Sequence, residues 1–368
     1  MSVTDGGRTV LAPPPLDAAG DVNVLLSDLG LGILREEHAG SFAGRNDNWF
    51  GPTSTGAAVF VKRMNGWDVP GRIARMTAFD HAFTTARAHL ALSWDTPRLL
   101  GLRPTHGLAA FTLLEGAESL ADLAPEGVLP VDLCRRTGRA LAEVHMLPWP
   151  DAPPPPEDAP VAPVLRFLGF LPEKTWQTAS AAELELWSLL QHDAALADGL
   201  RALSHAGGSG LVPCHGDLRL DQFLLHGDRL HLTDWEEFRP AEPELDLGSL
   251  VGEFVHRAVR CLTDAVDDEL ADDPRAAHTA IMARGRLALT RIRPGVTALM
   301  AAYRARRGPV DPARIAARAG WHLFDRILAG ARHANRLHPL DRAQAGIGRA
   351  MILAPQRSSG AIGLTEAH

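Results

Sequence analysis

His215-Gly216-Asp217-Leu218-Arg219-Leu220-Asp221-Gln222-Phe223-Leu224-Leu225, followed by Leu232-Thr233-Asp234-Trp235-Glu236, is the stretch on which the reading of this chain turns. An acid sits on a short loop, an amide follows five residues later, and an apolar strand leads to a second acid twelve residues beyond the amide. Phosphoryl transfer needs such a set: one carboxylate to orient an acceptor hydroxyl, and an amide with a second carboxylate to hold a magnesium ion bridging phosphates.

The stretch resembles the catalytic and metal-binding loops of the aminoglycoside phosphotransferase and choline kinase-like family, written HGD-x-x-x-x-N, an apolar strand, then an acidic segment. The resemblance runs over roughly residues 33 to 340. It implies an α+β, bilobal, protein kinase-like fold with a small sheet-rich N-lobe and a larger helical C-lobe, and it implies ATP and Mg2+ as cofactors. Asp217 is then the catalytic carboxylate, His215 a brace of its loop, and Arg219 a cation near the transferring phosphate. Asp234 is the metal acid. Gln222 stands where the family has Asn; the amide is kept and is one methylene longer, so its carbonyl can still ligate magnesium at about 2.1 Å. Asp246, in Glu244-Leu245-Asp246-Leu247-Gly248, matches a downstream acid that holds the catalytic loop.

Lysine usage adds to this. The chain has two lysines, Lys62 and Lys174, against 35 arginines. Lys62 ends the apolar run Ala57-Ala58-Val59-Phe60-Val61, and in the resembling families such a strand puts its ammonium on the α- and β-phosphates; a compact charge suits that slot better than a guanidinium. Before it, Ser41-Phe42-Ala43-Gly44-Arg45-Asn46-Asp47-Asn48 reads as a loop between strands and resembles the phosphate-covering loop, which implies Gly44, Asn46 and Asn48 near the nucleotide. Leu113-Leu114-Glu115-Gly116 resembles the hinge, where Leu114 and Glu115 would meet the adenine edge. In these kinases a helix glutamate pairs with the strand lysine. From Arg63 to Leu114 the chain has no glutamate, and Asp80 is the one acid inside the helical stretch. Either Asp80 reaches Lys62 or the pairing is absent.

Composition bounds the rest. The 368 residues, 46% hydrophobic and 22% charged, suffice for a sizeable core. No apolar run approaches the roughly 20 residues that span a bilayer, and the first thirty residues lack a signal-peptide pattern. Three scattered cysteines, Cys134, Cys214 and Cys261, suit a reduced, cytoplasmic chain. Neither a membrane nor a nucleic-acid partner is expected.

Four segments are expected: an arm and short helix over 1–32, with residues 1–20 loose; a nucleotide-binding sheet over 33–114; a helical region carrying the catalytic and metal loops over 115–354; and a flexible tail over 355–368. Pro148 to Pro163, with eight prolines, excludes regular structure. Helices are expected over Val22–Leu31, Arg72–Ser93, Val131–His145 and Ser180–Leu203. Beyond Asp246 the chain reads as helical to about Leu337, with breaks at Pro274, Pro294-Gly295 and Gly308-Pro309.

Charge is uneven. Arg284 to Arg349 carries fourteen arginines and three acids, about +11, whereas the whole chain is −7. That disfavours a polycationic acceptor and favours an anionic one. The run Gly44-Arg45-Asn46-Asp47-Asn48-Trp49-Phe50-Gly51-Pro52-Thr53 is similar to kinase-like proteins of class V lanthipeptide and thioamitide pathways. That similarity implies Ser/Thr of a precursor peptide as acceptor and a partner lyase. A small-molecule hydroxyl (antibiotic, sugar or amino alcohol) is the alternative. A nucleotide-binding pseudokinase that presents a peptide or partner is a second one, favoured by the missing helix glutamate and by Gln222.

Overall fold

Alternation along one strand pair organises the first part of the chain. The computed structural model describes residues 3–5, 8–16, 20–42, 46–66, 68–124, 127–149, 162–205, 210–262 and 274–365. Strands β1 (Val3–Asp5), β2 (Arg8–Leu11) and β3 (Ser41–Phe42) form a small antiparallel sheet, so the described residues 3–5 and 8–11 are not the loose arm expected. The segment is pinned: the Trp49 indole donates to the Pro14 carbonyl at 2.9 Å, and Leu16 is buried. A four-stranded sheet follows, ordered β4 (Asp47–Pro52), β5 (Ala58–Arg63), β8 (Leu108–Thr112) and β7 (Leu99–Arg103). Helix α1 (Gly20–Asp28) covers one face through Val22, Leu25 and Leu26, which pack with Val59, Val61, Leu108 and Ala110. Helix α2 (Val69–His89) packs Ile73 and Met76 with Met64 and Ala109. Successive side chains leave a strand on opposite faces, so Leu108 and Ala110 go to α1 and Ala109 to α2. Lys62, paired in register with Ala109, falls on the α2 face.

A second four-stranded sheet joins β6 (Trp94–Asp95), β12 (Arg229–Leu232), β11 (Phe223–His226) and β9 (Glu118–Ser119), in that order. Its pairings decide the division of the chain. One compact unit holds 1–123, 147–150 and 220–238; the other holds 124–146, 151–219 and 239–368. The segment carrying Gln222 and Asp234 therefore groups with the first unit, whereas the expected boundary put it in the helical region over 115–354. The hydrogen bonds of β11 to β9 and of β12 to β6 place it there.

The second unit is mostly helical, with one short pair, β10 (Val212–Cys214) and β13 (Arg239–Ala241). Its helices are α3 (Val131–Val144), α4 (Ala162–Phe167), α5 (Glu173–Thr178), α6 (Ala181–Gln191), α7 (Ala194–Ser204), α8 (Pro243–Arg260), α9 (Pro274–Arg307), α10 (Pro312–Ala331), α11 (Pro339–Leu353) and α12 (Pro355–Ala361). Starts are encoded locally. Ser180 and Glu183 form a capping box on α6, and Asp311 accepts from Ala313 N–H ahead of Pro312. Leu186, Trp187, Leu200, Trp321, Phe324 and Ile352 join α6, α7, α10 and α11 in one core.

Two expectations fail here. Residues 355–361, expected to be flexible, form α12. And α9 runs through Pro294. Proline removes one helical hydrogen bond, but α9 is held by close packing on α3: a Cβ on Gly138 would lie 2.1 Å from the Leu299 carbonyl oxygen, and one on Gly295 would lie 2.9 Å from Cys134 Sγ. Gly308, at φ 102, ends the helix. No helix among the described residues is long and apolar enough to cross a membrane.

Candidate active site

In the first unit, the hairpin β11–β12 pairs Phe223 with Leu232, and Thr233 N–H donates to the Gln222 carbonyl at 3.0 Å. Gln222 and Asp234 thus stand at the same end of one hairpin. Gln222 is buried. Asp234 has a left-handed backbone, φ 72 and ψ 53, a conformation that costs a non-glycine residue free energy and clusters at functional sites. Trp235 fixes the turn after it: its ring stacks on Phe79 at 3.6 Å between centroids, and its indole donates to the Leu232 carbonyl at 3.1 Å.

Lys62 meets this segment. Its ammonium is bonded to Asp234 and lies 2.6 Å from Glu236 Oε2. Burial alone would lower the Lys62 pKa; the charges of Asp234 and Glu236 outweigh it and hold the ammonium above its ordinary value. Asp80 is not a partner of Lys62, so the first sequence alternative is ruled out; its carboxyl is raised by burial, against the charge of neighbouring His81. A lysine–glutamate pair nonetheless exists, with a glutamate that the helix does not carry. The sequence marks Glu236 only as a neighbour of Asp234. Its spacing from Asp234 is visible there, but its approach to Lys62 depends on two sheets meeting and leaves no local signal.

The loop before β4 shows a division of labour. Gly44 lies outside the described residues. Asn46 donates to Glu236 at 3.3 Å and accepts from Asn65 N–H at 2.9 Å. Asn48, expected near the nucleotide, is buried: its side chain accepts from Phe42 N–H at 2.7 Å and donates to the Phe42 carbonyl at 2.8 Å. Those bonds occupy its amide in bracing the loop. Leu114 and Glu115 lie on a turn closed by Ala117 N–H to the Leu114 carbonyl at 3.3 Å, with Gly116 at φ 70.

In the second unit, the loop after β10 carries His215, Asp217 and Arg219. Asp246, fully buried at the start of α8, accepts from the backbone N–H of His215 at 2.6 Å and of Gly216 at 2.9 Å. Arg239 donates to the Gly216 carbonyl at 3.0 Å. His145, buried at the end of α3, sits 3.2 Å from the same carboxylate and 2.7 Å from the Tyr303 hydroxyl. The loop's backbone is thus clamped, and Asp217, partly exposed, projects from it. The Arg219 guanidinium lies 3.5 Å from the Asp217 carboxylate.

The sequence model of the phosphotransferase enzyme family matches residues 42–287. The chain belongs to that family. Its reaction class is phosphoryl transfer to an alcohol oxygen. No curated protein matches the sequence significantly. Among solved structures the fold is similar to a choline/ethanolamine kinase family protein from Mesorhizobium loti (18% identity, TM-score 0.52, 95% of this chain and 99% of that one). It is also similar to an ethanolamine kinase from Plasmodium vivax (14%, 0.52, 88% and 84%). A third is an amicoumacin kinase in complex with AMP-PNP, Ca2+ and Ami (13%, 0.50, 93% and 96%). At these identities the likeness is one of fold, and it agrees with the α+β, kinase-like architecture read from the sequence.

Proposed function

We propose that this family member transfers the γ-phosphoryl group of ATP to a hydroxyl, with Mg2+ held by Asp234 and Gln222. The observation that carries the reading is the pairing of Lys62 with Asp234, a phosphate-type cation beside a metal-type acid. Oxygen donors of carboxylate and amide type at one hairpin end suit a hard divalent cation. Bound together, ATP and the cation supply the phosphoryl group and offset its charge. Lys62 holds the phosphates, Asp217 orients the acceptor hydroxyl and accepts its proton, and Arg219 lends positive charge beside it. The clamp of Asp246 and Arg239 on the loop keeps Asp217 in place. Leu114 and Glu115 are assigned to the adenine edge. Retention of the lysine–glutamate pair through Glu236 argues against a pseudokinase.

Two acceptors stand. Ser/Thr of a precursor peptide, its phosphate then eliminated by a partner lyase, rests on the 44–53 similarity and on the arginine excess. Many of those arginines, however, have carboxylate partners: Arg314 and Arg318 at Glu242, Arg326 at Glu253, Arg342 at Glu185, Arg349 at Asp193 and Arg306 at Glu143. Internal pairing removes much of the field that would draw an anionic peptide, which favours a small-molecule hydroxyl. Mass spectrometry of peptides and small alcohols after incubation with ATP and Mg2+ tests both. A gain of one phosphate on a peptide hydroxyl supports the first, on a small alcohol the second, and on neither rejects the activity.

A further inference from the structure

Helix α2 turns cations, not a carboxylate, toward the segment that follows Asp234. The Arg75 guanidinium donates to the Glu236 backbone carbonyl at 2.8 Å, lies 3.4 Å from the Glu237 carboxylate and bonds Asp68, the N-cap of α2, at 3.0 Å. Arg72, nearly fully buried, is 3.5 Å from Glu237 and donates to the Asn65 carbonyl at 2.9 Å. Asn46 holds the Glu236 carboxylate from the loop side. Glu236 is itself buried, and its Oε2 reaches Lys62. A buried carboxylate persists where cations and donors surround it, and here four groups on three elements converge on residues 236 and 237.

We propose that Glu236 is the positioning residue for Lys62, fixed by Arg75 and Asn46, so that the lysine's counter-charge comes from the segment behind the metal acid and the helix supplies the cations that anchor it. The proposal rests on the reading of Lys62 as the phosphate lysine. Its logic is one of competing partners. Lys62 touches two carboxylates, Asp234 and Glu236. Were Asp234 to hold a divalent cation, its carboxylate would be shared between that cation and the ammonium. Glu236 would then be the partner Lys62 keeps, holding the ammonium in place for phosphate. Anchoring 236 and 237 to α2 makes the helix a support for the lysine without a carboxylate of its own.

Two measurements on the full chain test this. In calorimetry with ATP and Mg2+, Glu236→Gln is expected to weaken ATP binding on the order of tenfold, as loss of a charge-assisted contact does, and Glu236→Asp to retain part of the affinity. Added to Lys62→Met, Glu236→Gln should cost nothing further, because its effect passes through the lysine. Asp80→Asn should bind like the wild type. The second measurement needs no nucleotide. With only Lys62 and Lys174 in the chain, amine-reactive labelling read by peptide mass gives each rate separately. Lys174, exposed on α5, serves as reference. Glu236→Gln, and Glu236→Asp should the first variant fail to fold, is expected to raise the Lys62 labelling rate several-fold over Lys174. Unchanged labelling, unchanged affinity, or additive losses in the double variant overturn the proposal. If the wild type binds no ATP, the kinase reading fails, and the labelling still decides whether Glu236 holds Lys62.

Discussion

His145, the residue capping α3, and Asp246, on α8, meet at 3.2 Å with both side chains wholly out of water. The carboxylate is the hub of the loop after β10, since the N–H groups of His215 and Gly216 also end on it. Burial by itself would raise the Asp246 pKa. The hydrogen bond and charge of His145, the charge of His215 and the Gly216 N–H outweigh it and hold the carboxyl below its ordinary value. A carboxyl with a lowered native pKa contributes stability that is present above its unfolded value of about 3.9 and lost as pH falls below it. Asp246→Ala strands these donors in the interior. It should lower unfolding free energy at pH 7 by about 3 to 5 kcal/mol, the scale of a broken buried pair, measured by urea denaturation. A smaller loss than about 1 kcal/mol would show the hub to be dispensable.

Asp217 and Asp234 should separate in their effects. Asp217→Asn is expected to fold, to bind ATP as the wild type does and to turn over at least about a hundredfold more slowly, the scale of lost proton-transfer assistance. Asp234→Ala should instead lose the Mg2+-dependent part of ATP binding. Single-turnover kinetics beside calorimetry distinguishes the two. Full turnover by Asp217→Asn would remove it from the mechanism.

His256 responds at milder acidity than Asp246. Burial first, then the charge of Arg326, pushes it down to about 4, although Glu253 and the Gln344 contact at 2.8 Å act the other way. An unfolded histidine takes its proton near pH 6.5. The native one does so only near 4, so stability is lost as pH falls through that window. His231, lowered chiefly by burial, acts in the same direction. His256→Gln should flatten, without abolishing, the fall in urea midpoint between pH 7 and pH 5. An unchanged slope would count against the burial of this imidazole.

The cysteines give a check on packing. Cys134 is buried and raised to about 11, chiefly by burial; Cys214 is buried and raised well above its ordinary value, while Cys261 is partly exposed. Thiolates react and thiols do not. Native protein at pH 8 should therefore take up one equivalent of a thiol reagent, on Cys261, and three after denaturation. Rapid labelling of Cys214 would mean that the β10 strand opens.

Legibility in the sequence tracks the range of the interactions. The acid–amide–acid spacing and the strand ending in Lys62 are local patterns, and they led to the family. The alternation that sends Lys62 to the α2 face is equally local. Glu236 as its partner is not, because contact between residues 174 positions apart leaves no periodic trace. The β9–β11 and β6–β12 pairings are long-range in the same way, and they move the segment with Gln222 and Asp234 into the first unit. The unbroken α9 escapes a sequence reading because proline's local cost is visible while the packing of Gly138 and Gly295 is not. Composition counts the arginines correctly but cannot see their carboxylate partners.

The left-handed backbone at Asp234 limits which amino acids the position can accept. Among the described residues, the non-glycine positions with positive φ are Asp68 and Asp234. Glycine, asparagine and aspartate tolerate that region; longer side chains do so rarely. If the position must also supply a carboxylate, the two lists share one member. Glutamate there would keep the charge and lose the torsion, and asparagine would keep the torsion and lose the charge. Gln222 carries no such torsion, so at that end of the hairpin Asn and Gln can exchange. Natural variation in this family should be permissive at the amide and closed at the acid.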